Sequence, residues 1–257
     1  MLASEHGALP PSAPHRKNSS PMKLRALEAL LVLRLITSAA VAWAGDDLSA
    51  VVKKTLEAYG GEAALSKVAV VRATGKVAST MRQGAQGTLV RTFARPQRLR
   101  VEIGYPHEAV EVRVLDGAKG WRHGAEVKGP PLEAMVLQAA RLALPMLLVE
   151  RKAQLRDGGL VERDGVKLRA IELALSGSMS VTALVDPATG LILHSSGKAS
   201  GGAMPIEFGS SYGDFRKVQG VLFPFQERTV AMGTFTGTTT LEKVELLDTV
   251  QGEVFSP

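Results

Sequence analysis

The sequence predicts a mostly β protein with some α: a strongly curved antiparallel sheet, a half-barrel of about ten strands, closed by an N-terminal helix and a helical lid insertion. Three observations predict it. Long stretches alternate apolar and polar residues, which makes one face of a sheet dry and the other wet. Gly- and Pro-marked breaks at short intervals suit hairpins. Two apolar segments, one near the start and one near the middle, instead carry helical spacing.

From the N-terminus, residues 1–21 are Pro-, Ser- and His-containing without periodicity, so either Met1 or Met22 is the start. Met22 opens a run with Lys23 and Arg25 as a positive flank and an apolar segment ending in Ala42-Trp43-Ala44. Small residues around a cut site read as a secretory signal, with cleavage after Ala44. Glu28 and Arg34 interrupt the apolar region, which leaves an amphipathic surface helix or an uncleaved anchor as the alternative. Residues 1–44 are therefore expected to be a leader and signal peptide, and 45–257 a single domain in the periplasm.

Without the leader the chain keeps 26 basic and 23 acidic side chains, a net of +3. The charges are interspersed, which excludes nucleic acid as a partner. There is no Cys, so an exported chain of this kind relies on its hydrophobic core and cannot carry a lipid on an N-terminal Cys.

Leu48, Val51, Val52, Leu56 and Tyr59 recur at helical spacing, with Asp46 or Asp47 as N-cap and Gly60-Gly61 as the stop. A short helical turn over Glu62 to Lys67 leads into Val68-Ala69-Val70-Val71. Strands are then expected over Gly75 to Met81, Gly87 to Phe93, Leu99 to Ile103 and Val110 to Leu115. In the last two, Leu99, Val101 and Ile103 alternate with charges, as do Val112 and Val114, and these five are the candidate wall of an apolar groove. Tyr105-Pro106 turns the corner between them, and Asp116-Gly117 ends the second strand. Trp121 beyond that turn is expected to pack on the sheet edge.

Pro130-Pro131 suits a helix start. Leu132, Met135, Val136, Ala139 and Leu142 form an apolar stripe, Glu133 and Arg141 mark the wet side, and Pro145 breaks or kinks the helix before Met146-Leu147-Leu148. The same stripe fits a mobile lid over cargo or a core helix that plugs the sheet permanently. Strands return from Gly159 to Leu246, with a Pro-Gly turn at Asp186 to Gly190 and a tight hairpin at Gln219-Gly220.

The order of these stretches resembles the Lol-type carriers, the periplasmic outer-membrane lipoprotein-sorting proteins. An exported N-terminal helix precedes a strand ending in Arg95-Pro96. A hydrophobic strand, Val114-Leu115-Asp116-Gly117 with Trp121, and a Pro-bounded apolar segment ending in Pro145-Met146-Leu147-Leu148 follow. Val185-Asp186 and Thr189-Gly190-Leu191 come before the closing hairpins, Tyr212 to Phe225 among them. The resemblance implies a half-barrel whose mouth is closed by helices and whose cavity receives acyl chains. Within it, Arg95 is a latch that bonds to the helical lid, Leu99 and Val101 line the pocket, and Leu132, Met135, Val136, Leu142 and Met146 form the lid. The partners it implies are lipoprotein acyl chains or other lipid, handed on by a membrane-bound donor or acceptor protein, with the chain itself a monomer. With 5% aromatic residues, the walls of such a cavity are aliphatic.

Catalysis finds little support in the sequence. His107, His123 and His194 form no His-x-x-x-His pair, the one Gly-x-Ser-x-Gly spacing, Gly209 to Gly213, lies inside an expected strand rather than at an elbow, and Gly75-Lys76 lacks a phosphate-binding loop. No metal site and no cofactor are expected. Two readings remain: an exported carrier holding acyl chains, or a non-carrier envelope interaction or stress-sensor protein of the same fold. An esterase-like enzyme would need a nucleophile set at such an elbow.

Overall fold

The computed structural model describes residues 47–201 and 205–257. The expected signal peptide, its cleavage after Ala44 and the choice between Met1 and Met22 all lie outside the described residues. The chain divides into Met1–Ala42 and Trp43–Pro257, and every described residue belongs to the second unit.

Among the described residues thirteen strands form one antiparallel sheet, where the alternation pattern predicted about ten. Six precede the helical insertion: β1 (Val70–Ser79), β2 (Ala85–Ala94), β3 (Arg98–Gly104), β4 (Glu111–Asp116), β5 (Lys119–Arg122) and β6 (Ala125–Val127). Seven follow it: β7 (Leu155–Arg163), β8 (Val166–Ala174), β9 (Met179–Val185), β10 (Ile192–Ala199), β11 (Ile206–Val218), β12 (Val221–Ala231) and β13 (Thr234–Leu247). The uncounted pair, β5 and β6, is too short to display a period. Its two members are joined at His123 and Gly124, both at positive φ.

The strand order β6-β5-β4-β3-β2-β1-β13-β12-β11-β10-β9-β8-β7 places the first strand beside the last. Val70 pairs with Leu247 and Ser79 with Gly237. From β1 the chain meanders outward to one edge, β6. After the helices it restarts at the opposite edge, β7, and meanders back to β1. Register shifts at Thr74/Gly75, Thr229/Val230, Ile192/His194 and Asp157/Leu160 interrupt the ladders. Such irregularities raise local twist and let a wide sheet curl.

Helix α1 (Leu48–Ala58) starts where the Asp47 carboxylate accepts from Ser49 N–H, and buries Val51, Val52 and Leu56. At its end, Gly60 has a φ of +114° and lies so close to the Gln219-Gly220 hairpin that a Cβ would stand 2.4 Å from the Gly220 carbonyl oxygen. No other residue fits there. The short α2 (Glu62–Lys67) follows.

The insertion is α3 (Pro130–Leu142) and α4 (Leu144–Glu150), bent by 76° at the expected break. Among the described residues no single helix is long and apolar enough to cross a membrane. The apolar residues of this pair face the sheet. Met135, Leu137, Ala139, Leu144, Met146 and Leu148 are buried in one cluster with Leu99, Val101, Leu115, Leu173, Val181 and Leu241, which come from both halves of the sheet. A close approach is at β10, where a Cβ on Gly197 would lie 3.0 Å from Leu137 Cβ. Arg141 is not on a wet side. Its Nη1 donates to Ser210 Oγ of β11 at 2.8 Å, so α3 turns a cation toward the sheet.

Leu137 is fully buried between α3 and β10, so Leu137→Ala should cost about 2–5 kcal/mol. Urea denaturation should show a lowered midpoint at unchanged slope.

Candidate functional site

The concave face is set by strand parity. In an antiparallel ladder, paired residues point to the same side. Leu99, Val101 and Ile103 of β3 pair with Phe93, Arg91 and Leu89 of β2. On the other side they pair with Leu115, Arg113 and Glu111 of β4. Leu99 and Val101 are buried in the main core and Ile103 packs against it.

Val112 and Val114 do not belong to this wall. They pair with Glu102 and Arg100 and point to the convex face. There Val114 joins Val70, Ala94 and Phe255, with Val112 and Trp121 packed alongside, under a C-terminal 3-10 turn at Gly252–Phe255. Alternation makes β4 amphipathic but leaves open which parity faces inward. The register with β3 turns the charged parity, Glu111 and Arg113, into the concavity.

The same parity carries an ion pair into the core. Arg91 and Glu227 stand in phase with Leu89/Phe93 and with Phe223/Phe225, and both are buried. Arg91 Nη2 donates to Glu227 Oε1 at 2.7 Å and Nη1 to Oε2 at 3.3 Å. The two belong to β2 and β12, so the guanidinium reaches across β1 and β13, where β1 presents only Ala73 and Gly75 on that face. Burial pushes the Glu227 carboxyl up, but the Arg91 guanidinium, with Arg141 behind it, outweighs burial and holds it below the usual carboxylate range. Beside it, Tyr212 Oη and Ser195 Oγ share a hydrogen bond at 2.7 Å, and burial pushes the Tyr212 phenol up.

This polar layer divides the concavity. On one side lies a mostly apolar pocket of about 70 Å³, bounded by Tyr59, Val71, Phe93, Leu142, Met146 and Phe223. That space is worth about two water molecules. On the other side a wider recess of about 700 Å³ opens beside α3, with Leu89, Val101, Ile103, Tyr105, Arg113 and Phe208 on its walls. Arg91, Arg141 and Glu227 border both.

The proposed lid residues sit on the inner side of the helical pair. Met135, Val136 and Met146 are buried. Leu132 and Met135 close over β5, where a Cβ on Gly120 would lie 2.8 Å from Leu132 Cδ1 and 3.1 Å from Met135 Sδ. Arg95 stands at the end of β2, away from the recess. Its Nη1 donates to the carbonyls of Ser66 and Val68 at 3.0 and 3.1 Å, and its Nη2 pairs with Glu150 of α4 at 2.5 Å.

Sequence reading missed Arg91, Glu227, Arg141 and Arg113 as inward-facing residues. The available signal was a charge standing in the apolar phase of its own strand, twice and with opposite signs.

No protein-family model matches this chain, and no curated protein matches it. Among solved structures it is similar to the LolA superfamily protein NE2245 from Nitrosomonas europaea: 11% identity over 81% of this chain and 97% of that one, with a TM-score of 0.55. The two share a fold. More distant likenesses are a domain named for outer membrane lipoprotein sorting from Vibrio parahaemolyticus (10% identity, 79% and 97% covered, TM-score 0.41) and a DUF1329 family protein from Desulfovibrio piger (11%, 81% and 96%, 0.42).

Two outcomes follow from the geometry. Glu227 has a depressed folded-state pKa, so its contribution is complete above the ordinary value of 4.5 and is lost as pH falls below it. Glu227→Gln leaves the Arg91 cation buried without its anion. It should cost about 3–5 kcal/mol at pH 7 and make the fall in stability below pH 4.5 shallower, measured by chemical denaturation across pH. The Arg95–Glu150 pair is partly exposed and is worth no more than about 1 kcal/mol. Glu150→Gln should therefore raise amide exchange in α4 by about fivefold or less while the sheet stays protected.

Proposed function

We propose that this chain is an exported carrier that holds the acyl chains of a lipoprotein or another lipid in the concavity of its sheet, for transport toward the outer membrane. It binds and releases without bond chemistry, acts as a monomer, and exchanges cargo with a membrane-bound donor or acceptor. The observation that carries this reading is the way the concavity is filled. An apolar pocket lies directly beneath a bent helical pair, and Leu142 and Met146 of that pair form part of its wall. The fold shared with the LolA superfamily protein supports it.

Each methylene moved from water into such a pocket gains about 0.8 kcal/mol. Here that gain is offset, because lid side chains that wall the pocket must be displaced and the contacts of Arg141 and Arg95 loosened. The balance gives holding that can be reversed, which suits a shuttle.

The chain has no cysteine, so an engineered disulfide is unambiguous. Leu137→Cys with Gly197→Cys brings two Cβ atoms to 3.0 Å across α3 and β10, so a small outward shift of about 0.5 Å reaches disulfide spacing. The expected outcome is that the reduced double variant binds a fluorescent 16-carbon fatty acid, and that oxidation weakens binding at least tenfold without unfolding the sheet by circular dichroism. Equal affinity in both redox states would sink the lid mechanism. An absence of binding in the unmodified chain would sink the carrier reading and favour the envelope-interaction alternative.

A further inference from the structure

The wider recess carries more positive charge than its own carboxylates balance. Its walls hold Arg82, Arg91, Arg113, Arg122 and Arg141 against Glu111 and Glu227. Arg82 pairs with Glu108 at the rim, and Glu227 is taken up by the two bonds from Arg91. That leaves Arg113, Arg122 and Arg141 with one carboxylate, Glu111. Arg113 Nε lies 3.3 Å and Arg122 Nη2 3.5 Å from the same Glu111 oxygen.

The guanidinium donors are also incompletely used. Arg113 gives one long hydrogen bond, Nη1 to Gln138 Oε1 at 3.4 Å, and Arg141 gives one, Nη1 to Ser210 Oγ. The Arg141 Nε is buried with no hydrogen-bond partner in the protein, and the buried Arg113 Nε meets Glu111 as an ion pair outside hydrogen-bond geometry. A buried donor left unmatched costs free energy, and guanidinium groups suit carboxylate and phosphate oxygens. Burial and the neighbouring Arg122 and Arg91 charges hold the Arg113 guanidinium below its usual basicity, against the opposing pull of Glu111 and Tyr105. An added anion would relieve both the charge excess and the unmatched donors.

From this geometry we infer that the recess is the headgroup site of an anionic acyl lipid, with a phosphate or carboxylate seated among Arg113, Arg122 and Arg141. The inference rests on the carrier function proposed above and narrows its cargo. The acyl chain would run past the Arg91–Glu227 pair into the apolar cavity under α3 and α4, since Arg91, Arg141 and Glu227 border both spaces. A head in one compartment and a chain in the next gives the site an orientation: the charged end toward the opening, the apolar end beneath the lid.

The test compares two single-chain lipids of equal chain length, lysophosphatidylglycerol and lysophosphatidylcholine, with inorganic phosphate as a third ligand, by calorimetry on the full chain at low and high salt. The anionic lipid should bind about tenfold more tightly than the zwitterionic one at low salt, and the ratio should shrink as salt screens the recess. In Arg113→Gln and in Arg122→Gln the ratio should fall toward one. Arg122 is half exposed, so its variant keeps the test open if Arg113→Gln fails to fold. Equal affinities in the wild-type chain, or a preference that survives both substitutions, would overturn the headgroup site while leaving the carrier function standing. Phosphate alone binding as tightly as the anionic lipid would make this a site for a free anion and also overturn it. If neither lipid binds, the carrier function fails with it.

Discussion

One topological constraint governs this molecule. β1 and β13 pair at the centre of the sheet, so the chain's midpoint must travel from one edge strand, β6, to the other, β7. The helical insertion is that passage. It takes the concave route, where the sheet's apolar face has to be covered. Covering the face and connecting the edges are thus one task, done by α3 and α4. Helix α3 consequently touches both arms of the sheet, meeting Gly120 on one side and Gly197 on the other. The bend at Ala143, just before Pro145, turns the apolar stripe with the curvature of the wall.

A connection of this kind is a weak permanent plug. Its two ends enter from opposite edges, and its polar ties are few: Arg141 to Ser210, Gln138 to Arg113, and Glu150 to Arg95. Beneath it the protein keeps a charged layer where apolar packing would be more stable. A buried Arg–Glu pair recovers little beyond its own desolvation, so its retention fits specification better than stability. In this fold it separates an apolar compartment from a cationic one. That partition makes the concavity amphipathic along its length.

Local chemistry made much of the fold legible. Asp47 as N-cap, Gly60 as helix stop, the break before Met146 and the Gln219-Gly220 hairpin each follow from residues a few positions apart, and the structure places all four as expected. The candidate site was only half legible. Leu99, Val101 and the stripe from Leu132 to Met146 do face the concavity, whereas Val112 and Val114 turn outward to meet Phe255. Arg141 showed the same ambiguity on a helix, since a cation beside an apolar stripe points to water unless something polar lies opposite. Here Ser210 does.

By itself, then, the sequence determined most of the strands and helices, though not the short β5 and β6, because period and turn chemistry are local properties. It also determined that the insertion has one apolar face. Only the tertiary structure decided which parity of each strand looks inward, that β1 closes against β13, and that Arg91 finds Glu227 across two intervening strands. Those outcomes depend on register and curvature, which arise from pairings between residues more than a hundred positions apart and leave no mark on neighbouring residues.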